Sequence, residues 1–455
     1  MQSVTKLVLA RAAMMPDANA VLLPDRAMTF SMLAQAVGSV AKILAAAKLS
    51  ATTPVGVLVD TPSRHLVITL ALAKIGLASI PLRPDILELV RKLHLVDVVC
   101  DAFTPTLPAR QHILHESWFT EQTDTAIKAD PVADNAITRV EFTSGSTGAP
   151  KAIAFTDGAI LNQTINRICS YALDAEASLC LFKITSNVGL GFALSRLILG
   201  KAVAFTSSND NSIDLIAYHR LEAIAGSPIQ VMALVDRISK TKRYIRGVKT
   251  IILAGGQISG DELARIREHT GADIRVDYGA TETGPSAFAA GTLIPYSGAD
   301  APALIPHQTI NIDECGEVCI QTTGMGWPFT GEMTQTQNDH GDGWFRPGDT
   351  AMFDNRGLMI LTGRADDLIN LGGVKMSPEL IESTLRAHPQ ISDAAVRAAE
   401  DSTGRKGLEV CVVMDGHLHI EDVRAWIQHR VKDANIITLN RVETIPKPIP
   451  VKWTV

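Results

Sequence analysis

The sequence predicts an α/β fold: a large N-terminal region of several α/β layers, followed by a small α+β domain at the C-terminus. Two observations predict it. Short apolar runs alternate with longer helical patterns through most of the chain, which is typical of helices layered on parallel strands. After about residue 365, shorter helical and strand patterns follow one another instead. At 455 residues, the chain is also too long for a single compact core.

Several predicted strands of the N-terminal region run directly into turns that contain glycine. The region has a buried-strand candidate at 55–59, a helical pattern at 63–75 and a further strand edge at 78–81. The strands that lead into glycine-bearing turns are predicted at 138–142, 249–253 and 274–277. In open α/β sheets, ligands bind beyond the carboxyl ends of the strands. We therefore expect a ligand site at these turns.

The C-terminal unit is joined to the rest through the sequence Gly-Arg-Ala-Asp-Asp at 363–367. Its amphipathic helices are predicted at 378–386 and 421–431, and its strands at 394–397 and 408–414. We place the boundary after residue 364. The chain is thus divided into an N-terminal domain, 1–364, and a C-terminal domain, 365–455.

Composition excludes some functions but identifies no partner. Hydrophobic residues make up 46% of the chain and charged residues 20%, so a large buried core is expected. The net charge is −6, and no basic block suggests a nucleic-acid or membrane-binding surface. Cys315 and Cys319 lie close in sequence, but no nearby His or second Cys pair completes a zinc site.

No segment predicts secretion or membrane insertion. The apolar N-terminal run is broken by Arg11 and Asp17, which makes a poor secretory core. The richest apolar stretch, 66–82, is interrupted by Lys74 and is shorter than a bilayer needs, so we interpret it as a buried helix. A cytoplasmic location is expected.

The segment 142–151, Phe-Thr-Ser-Gly-Ser-Thr-Gly-Ala-Pro-Lys, is suited to holding a polyphosphate. Its two glycines let the backbone turn tightly and present N–H groups to an anion. Ser144, Ser146 and Thr147 add hydroxyl donors, and Lys151 adds a positive charge. It is not a Walker A loop, because no Gly-Lys-Ser/Thr follows at the required spacing. A generic Ser/Gly-rich turn is the alternative.

Two further segments strengthen the phosphate interpretation. Val-Asp-Tyr-Gly-Ala-Thr-Glu-Thr-Gly at 276–284 follows a predicted strand, and the segment 343–382 carries Asp349, Arg364 and a Gly-Gly turn. With these motifs in this order, the sequence resembles the adenylate-forming superfamily of acyl- and aryl-CoA ligases, peptide-synthetase adenylation domains and firefly-type luciferases. The resemblance runs from about residue 29 to the C-terminus.

The resemblance implies an ATP site. In this family the Thr-Ser-Gly-Ser-Thr-Gly loop clasps the β- and γ-phosphates, which nominates Thr143, Ser144, Gly145, Ser146, Thr147, Gly148 and Lys151. Thr281 would contact the α-phosphate, and Glu282 would help to hold Mg²⁺. Tyr278 would pack near adenine, within the strand and turn that also contain Asp277 and Gly279. Gly255 and Gly256 match the flat wall beside adenine.

The ribose contacts implied by the resemblance are Asp349 and Arg364. A carboxylate accepts hydrogen bonds only, which suits a group that receives both ribose hydroxyls. The alternative for Asp349 is a turn-forming aspartate after Gly348.

Lys452 is nominated as the catalytic lysine. Family members supply a lysine from the C-terminal domain, usually after Pro-Lys and four further residues with glycine just before it. Here Pro446-Lys447 gives the spacing, but Val451 replaces the glycine and Pro450 stiffens the approach. Lys447, or a frayed tail, is the alternative.

The resemblance also implies that the small domain is mobile. Asp366 matches the hinge about which it rotates between adenylation and thioester formation. Gly372, Gly373 and Lys375 match the turn that lines the tunnel for the thiol.

The acid pocket is expected around Asn187, Val188, Gly189, Ser227, Ala254 and Ala280. Amino-acid-activating relatives have an aspartate near position 187. Its absence disfavours an α-amino acid, because an unpaired buried ammonium is costly. Asn187 could instead hydrogen-bond a hydroxyl or carbonyl of the acid, or only cap the following helix. A neutral aryl acid or an acyl acid of modest size fits best.

The expected activity is ATP- and Mg²⁺-dependent adenylation of a carboxylic acid, with CoA as the thiol that takes the acyl group. The sequence contains no carrier segment, so the other acceptor would be a separate carrier protein. A non-catalytic nucleotide-binding homologue remains the third interpretation.

Overall fold

The computed structural model describes residues 3–83, 87–120, 135–143, 151–206, 209–243, 245, 247–295, 302–331, 333, 343–365, 369–371, 374–376, 378–386, 388–400, 406–414, 418–431 and 436–445. Helices and strands are numbered separately in chain order. The α/β prediction is confirmed.

The first sheet is parallel in its centre and antiparallel at its edges. Its strands, in spatial order, are β15 (Ile305–Pro306), β14 (Gly284–Ala290), β13 (Asp273–Ala280), β12 (Thr250–Ala254), β11 (Ala223–Gly226), β9 (Ala177–Cys180), β10 (Ala202–Phe205), β1 (Asn19–Leu22) and β2 (Ala27–Thr29).

The second sheet is parallel except at one edge. Its strands, in spatial order, are β18 (Trp327–Pro328), β8 (Lys151–Thr156), β7 (Ile137–Thr143), β4 (Ser79–Pro81), β3 (Val55–Leu58), β5 (Asp97–Cys100) and β6 (Arg110–Ile113). From β7 to β6 the neighbours are parallel, whereas β8 pairs antiparallel with both β7 and β18.

The helices of this region are α1 (Val4–Met14), α2 (Phe30–Ala46), α3 (Pro62–Lys74), α4 (Leu87–Lys92), α5 (Ser117–Thr120), α6 (Asp157–Tyr171), α7 (Asn187–Ile198), α8 (Asn209–His219), α9 (Pro228–Thr241) and α10 (Gly260–Thr270). A further 3₁₀ turn spans Gly291–Leu293. The apolar stretch at 66–82 was expected to be one buried helix, and this is wrong. It is divided, because α3 ends at Lys74 and β4 follows.

The two faces of the first sheet pack into two different hydrophobic cores, and successive residues of a strand contribute to one core and then the other. On β12, Ile252 belongs to a core that also contains strand residues of the second sheet, such as Val57. Its neighbours Ile251 and Leu253 belong to the core that contains residues of α8, α9 and α10. Because successive side chains point to opposite faces, a strand buried on both sides must be apolar throughout. The continuous apolar run of β12 is explained in this way.

The rest of the chain forms smaller sheets. They contain β16 (Thr309–Ile312) with β17 (Val318–Gln321), β19 (Asp349–Phe353) with β20 (Met359–Arg364), β21 (Ile369–Leu371) with β22 (Val374–Met376), and β23 (Ile391–Glu400), β24 (Lys406–Met414) and β25 (Ile436–Arg441). Two helices, α11 (Pro378–Arg386) and α12 (Ile420–Arg430), share a separate hydrophobic core with the last three strands.

The predicted strand at 274–277 is longer than expected. β13 continues to Ala280, because β14 pairs antiparallel with it along that length, with a bulge between Tyr278 and Gly279. The Tyr-Gly pair therefore lies within the strand and not in a turn after it. Among the described residues, no helix is long and apolar enough to cross a membrane.

Candidate active site

The predicted site residues gather where parallel strands of the first sheet end. β12 and β13 are parallel neighbours, so their carboxyl ends lie at one edge. Gly256, after β12, faces the start of α9: a Cβ atom added there would lie 3.3 Å from Cδ of Pro228. The side-chain amide of Asn187, the first residue of α7, donates to the carbonyl oxygen of Thr281 at 2.7 Å. The starts of α7 and α9 and the turns after β12 and β13 thus border one site.

A hydrogen-bonded hub joins β13 to the hairpin of β19 and β20. The hydroxyl of Tyr278 donates to Oδ2 of Asp349 at 2.8 Å. Nη1 of Arg364 donates to Oδ1 of Asp349 at 2.6 Å and to the carbonyl oxygen of Pro347 at 2.9 Å. Burial and the neighbouring carboxylate of Asp349 raise the pKa of Tyr278, so its hydroxyl remains a donor. The three residues predicted beside adenine and ribose therefore form a connected, charge-paired group.

Register explains why Asp349 and Arg364 meet. They are the first residue of β19 and the last of β20, and they are directly paired across the hairpin. Gly348 precedes Asp349 with a φ of 79°, in the region that favours glycine. A Cβ atom there would lie 2.9 Å from Nη2 of Arg364, so glycine also leaves room for the guanidinium.

The turn that contains Thr281 and Glu282 is held by two side-chain amides, one buried and one partly buried. Nε2 of Gln163, on α6, donates to the carbonyl oxygens of Thr281, Glu282 and Gly324 at 3.3, 3.2 and 2.9 Å. Asn187 donates to Oε1 of Gln163 at 3.0 Å as well as to Thr281. The backbone N–H of Gly326 donates to the Glu282 carbonyl oxygen at 2.7 Å. The carbonyl oxygens of Thr281 and Glu282 therefore each accept from at least two donors.

Both the oxygen and the nitrogen of the Asn187 side-chain amide form hydrogen bonds. Its Oδ1 accepts from Nη2 of Arg167 at 3.0 Å. It does not cap α7, because Ser186 does so by accepting from the N–H of Gly189 at 3.2 Å. The helix-cap alternative for Asn187 is therefore wrong.

The other residues predicted for the acid pocket lie at the same edge of the sheet. Gly189 approaches the chain before it so closely that a Cβ atom would lie 2.1 Å from the carbonyl oxygen of Lys183. Ser227 caps α9 in a reciprocal bond with Gln230. Ala254 is buried at the end of β12, and Val188 and Ala280 are partly buried.

Asp277 faces α6. Its Oδ1 accepts from the hydroxyl of Ser170 at 3.2 Å. Burial raises the pKa of Asp277 to about 7, although the guanidinium of Arg167 opposes the rise. This carboxyl therefore titrates near neutral pH and contacts the helix behind the strand.

The structure describes only some of the residues predicted for the adenine wall and the phosphate loop. Gly255 and Gly256 are exposed after β12, and Gly255 has a φ of 75°. Thr143 and Lys151 are paired across β7 and β8 at the two ends of the loop. Lys151 is exposed. The loop residues Ser144, Gly145, Ser146, Thr147 and Gly148 lie outside the described residues.

The predicted residues of the C-terminal domain are largely outside the described part of the chain. This applies to Asp366, Gly372, Gly373 and Lys452. Lys375 lies in β22, paired with Asn370. The hinge, tunnel and catalytic-lysine assignments stay predictions.

The model for the AMP-binding enzyme family matches residues 8–326. The chain belongs to this family.

Two curated relatives illustrate the range of this AMP-binding family. The chain is 25% identical over 423 residues to 2-succinylbenzoate–CoA ligase of Bacillus pumilus, covering 87% of this chain and 85% of the relative. It is 24% identical over 466 residues to a plipastatin synthase polypeptide of Bacillus subtilis, covering 94% of this chain but only 13% of that polypeptide. The chain thus corresponds to a small part of the second relative.

A solved structure shares the fold of this AMP-binding enzyme. O-succinylbenzoate coenzyme A synthetase of Bacillus subtilis, in complex with ATP and a magnesium ion, has a TM-score of 0.75 and 20% sequence identity. The match covers 97% of this chain and 96% of that one.

Sequence reasoning missed Gln163 and Arg167. They lie one turn apart on α6, and both are buried. Polar residues at this spacing are usually on a solvated helix face, so only the packing of α6 under the Thr281 turn reveals them. Arg139 and Glu141, a buried ion pair on β7, also escaped prediction.

Replacing Asp349 with Asn tests the hub. The asparagine amide has no negative charge to face Arg364. Its NH₂ group would also lie against a donor, either the Tyr278 hydroxyl or the Arg364 guanidinium. Charge-assisted hydrogen bonds contribute about 1.5–3 kcal/mol, so we expect the Kd for ATP to rise about 10- to 150-fold. The measurement is calorimetric titration with ATP and Mg²⁺. Asp236→Asn, in a surface pair with Arg265, is the control and should leave Kd unchanged. An unaltered Kd for Asp349→Asn would exclude the hub from the nucleotide site.

Replacing Gln163 with Ala tests the support of the turn. The carbonyls of Thr281, Glu282 and Gly324 would lose a buried donor, which costs about 1–3 kcal/mol of unfolding free energy. We expect a lower midpoint in urea and weaker Mg²⁺ activation of ATP turnover. Asn162→Ala is the control, because Asn162 makes one long, exposed bond to Thr323. Equal midpoints and equal Mg²⁺ dependence for both variants would contradict this role.

Proposed function

We propose that the chain joins a carboxylic acid to AMP from ATP, releases pyrophosphate, and passes the acyl group to CoA. The observation that carries this proposal is the pairing of Tyr278, Asp349 and Arg364 beside the Thr281–Glu282 turn. Asp349 would then accept from the ribose hydroxyls, and Thr281 would donate to the α-phosphate, from neighbouring elements of one site.

The residues also fit Mg²⁺. Magnesium in nucleotide sites is held by one or two carboxylates together with phosphate oxygens. The described residues contain no group of three or more His, Cys, Asp and Glu side chains that could bind a metal unaided. Glu282, fixed through its backbone by Gln163 and Gly326, would be the protein carboxylate. When bound, the ion would neutralise phosphate charge.

The chemical step is an in-line attack of the carboxylate oxygen on the α-phosphorus, with pyrophosphate as the leaving group. Both reactants are anionic, so charge neutralisation should dominate catalysis. Lys151, at the start of β8, and Thr281 would contact phosphate, and Lys452 would approach the reacting oxygens. The loop 144–148 would close over the β- and γ-phosphates.

The thiol step would follow rotation of the C-terminal domain about Asp366. Gly372, Gly373 and Lys375 would then line the path of the thiol. A separate carrier protein is the second candidate acceptor, and the match to a plipastatin synthase polypeptide favours it. The acid would be a neutral aryl acid or an acyl acid of modest size.

Carboxylate-dependent exchange between ATP and pyrophosphate tests the adenylation step. A panel of aryl, alkanoic and amino acids should give exchange with one class of acid and none with amino acids. Added CoA should then release AMP at the rate of acid consumption. ATP binding without exchange for any acid would refute adenylation, and exchange without CoA-dependent release would point to the carrier protein.

The variant Lys452→Ala tests the predicted catalytic lysine. Removing a charge that acts only in the transition state should lower the exchange rate about 100- to 1,000-fold, while the Kd for ATP stays constant. Lys447→Ala is the matched control and should retain exchange. If Lys447→Ala loses exchange and Lys452→Ala keeps it, the roles are reversed.

A further inference from the structure

A series of hydrogen bonds runs from a buried cation on α6 to the turn with Thr281 and Glu282. Nη2 of Arg167 donates to Oδ1 of Asn187 at 3.0 Å. Nδ2 of Asn187 donates to Oε1 of Gln163 at 3.0 Å and to the Thr281 carbonyl oxygen at 2.7 Å. Nε2 of Gln163 donates in turn to the carbonyl oxygens of Thr281 and Glu282. Every donor in this series therefore points away from Arg167 and toward the turn.

The direction of the series follows from the groups at its two ends. A guanidinium offers only donors, whereas a backbone carbonyl only accepts. The amides of Asn187 and Gln163 have one edge of each kind, and the two edges have nearly the same shape. Because Arg167 cannot accept, only the oxygen edge of Asn187 can face it. The NH₂ group of Asn187 then faces Gln163, and the NH₂ group of Gln163 faces the turn.

The packing of α6 against α7 makes room for this guanidinium. Arg167 is 3% exposed. A Cβ atom added at Gly191, on α7, would lie 2.5 Å from both Cζ and Nη1 of Arg167. Glycine is unfavourable in the interior of a helix. Its presence at position 191 is explained by the cation that it admits.

The buried guanidinium keeps its charge. Burial lowers the pKa of Arg167, and the neighbouring carboxyls of Asp277 and Glu141 oppose that change. An arginine side chain has so high a pKa that it stays protonated under these conditions. Hydrogen bonds in series polarise one another in a low-dielectric interior, so a positive charge at the first donor strengthens the bonds that follow.

We propose that Arg167 is a positioning residue for adenylation. It sets the orientation of the Asn187 and Gln163 amides, and through them it holds the turn of Thr281 and Glu282 where the α-phosphate and Mg²⁺ are to bind. This inference rests on the proposed function and adds to it a residue that acts through two others.

Replacing Arg167 with Met removes the donors and the charge but keeps a long apolar side chain. The oxygen edge of Asn187 then loses its partner, and the turn loses its fixed geometry. Small displacements of groups that contact the reacting atoms are costly, so we expect kcat for pyrophosphate exchange to fall at least about tenfold. The Kd for ATP, measured by calorimetric titration, should stay within about threefold, because the Tyr278–Asp349 hub is not part of this series.

Arg196→Met is the matched control. Arg196, on α7, is also a buried arginine, at 2% exposed, but it donates to the carbonyl oxygens of Leu173 and Ala175 and not to an amide. Both substitutions should lower the midpoint in urea. Only Arg167→Met should lower kcat of the folded enzyme.

Arg167→Lys tests whether a donor is what matters. One N–H group of Arg167 reaches Asn187, so a single ammonium donor can replace it. The lysine variant should have a kcat at least about threefold above that of Arg167→Met. Equal values for the two variants would contradict the requirement for a charged donor.

Gly191→Ala leaves Arg167 in the sequence and covers the case in which Arg167→Met fails to fold. The new methyl group would displace the guanidinium from Asn187, while alanine is the better helix former. We expect the variant to fold and to bind ATP as before, with kcat reduced at least about tenfold.

A double variant tests whether Arg167 and Gln163 act together. Substitutions in one hydrogen-bond network are not additive. The loss of kcat in Arg167→Met with Gln163→Ala should therefore be close to the larger of the two single losses. Multiplied losses would contradict a shared action on the turn.

The outcomes separate this inference from the proposed function. If Arg167→Met exchanges pyrophosphate at the kcat of Arg196→Met, or if Gly191→Ala keeps the full kcat, Arg167 is a core residue only and the positioning role is overturned. A loss of kcat matched by an equal rise in the Kd for ATP would overturn it as well. Absence of exchange in the unaltered enzyme with every acid, with ATP still bound, would overturn adenylation itself and the inference with it.

Discussion

The arrangement of this site depends on two side-chain amides, the buried Gln163 and the partly buried Asn187. A tight turn between antiparallel strands leaves backbone carbonyls that must find donors when they are buried. Here the donors come from α6 and α7, so the turn with Thr281 and Glu282 is fixed to the helices between the sheets. The positions of the proposed phosphate and metal contacts are thereby set by core packing.

The site also depends on charged groups that are partly or fully buried. Asp349 lies between Tyr278 and Arg364, so its negative charge is compensated by a donating hydroxyl and a guanidinium. Farther in, Arg139 and Glu141 pair with each other, and burial raises the pKa of Glu141 while the Arg139 guanidinium lowers it. A paired site of this kind can present donors and acceptors with little reorganisation, which is the condition for electrostatic catalysis and for selective binding.

Much of the fold could be predicted from short-range patterns. The apolar run of β12 and the helical pattern of α3 place those elements within a residue or two. The extension of β13 to Ala280 could not be predicted, because it depends on the antiparallel partner β14. For the site, the resemblance to adenylate-forming enzymes nominated Tyr278, Asp349 and Arg364, which the structure brings together. Gln163 and Arg167 escaped prediction because a helix sequence does not show which neighbour its polar face meets.

The proposed function depends on one step, the attack of the acid on the α-phosphorus of ATP. It is tested most directly with a carboxylic acid labelled with ¹⁸O in both carboxylate oxygens, incubated with ATP, Mg²⁺ and CoA. Attack at the α-phosphorus forms a labelled bridge, and thiolysis of the carbonyl then leaves one ¹⁸O atom in AMP. Mass spectrometry should find AMP with a single label and unlabelled pyrophosphate. Label in inorganic phosphate or pyrophosphate, or AMP without label, would contradict this account.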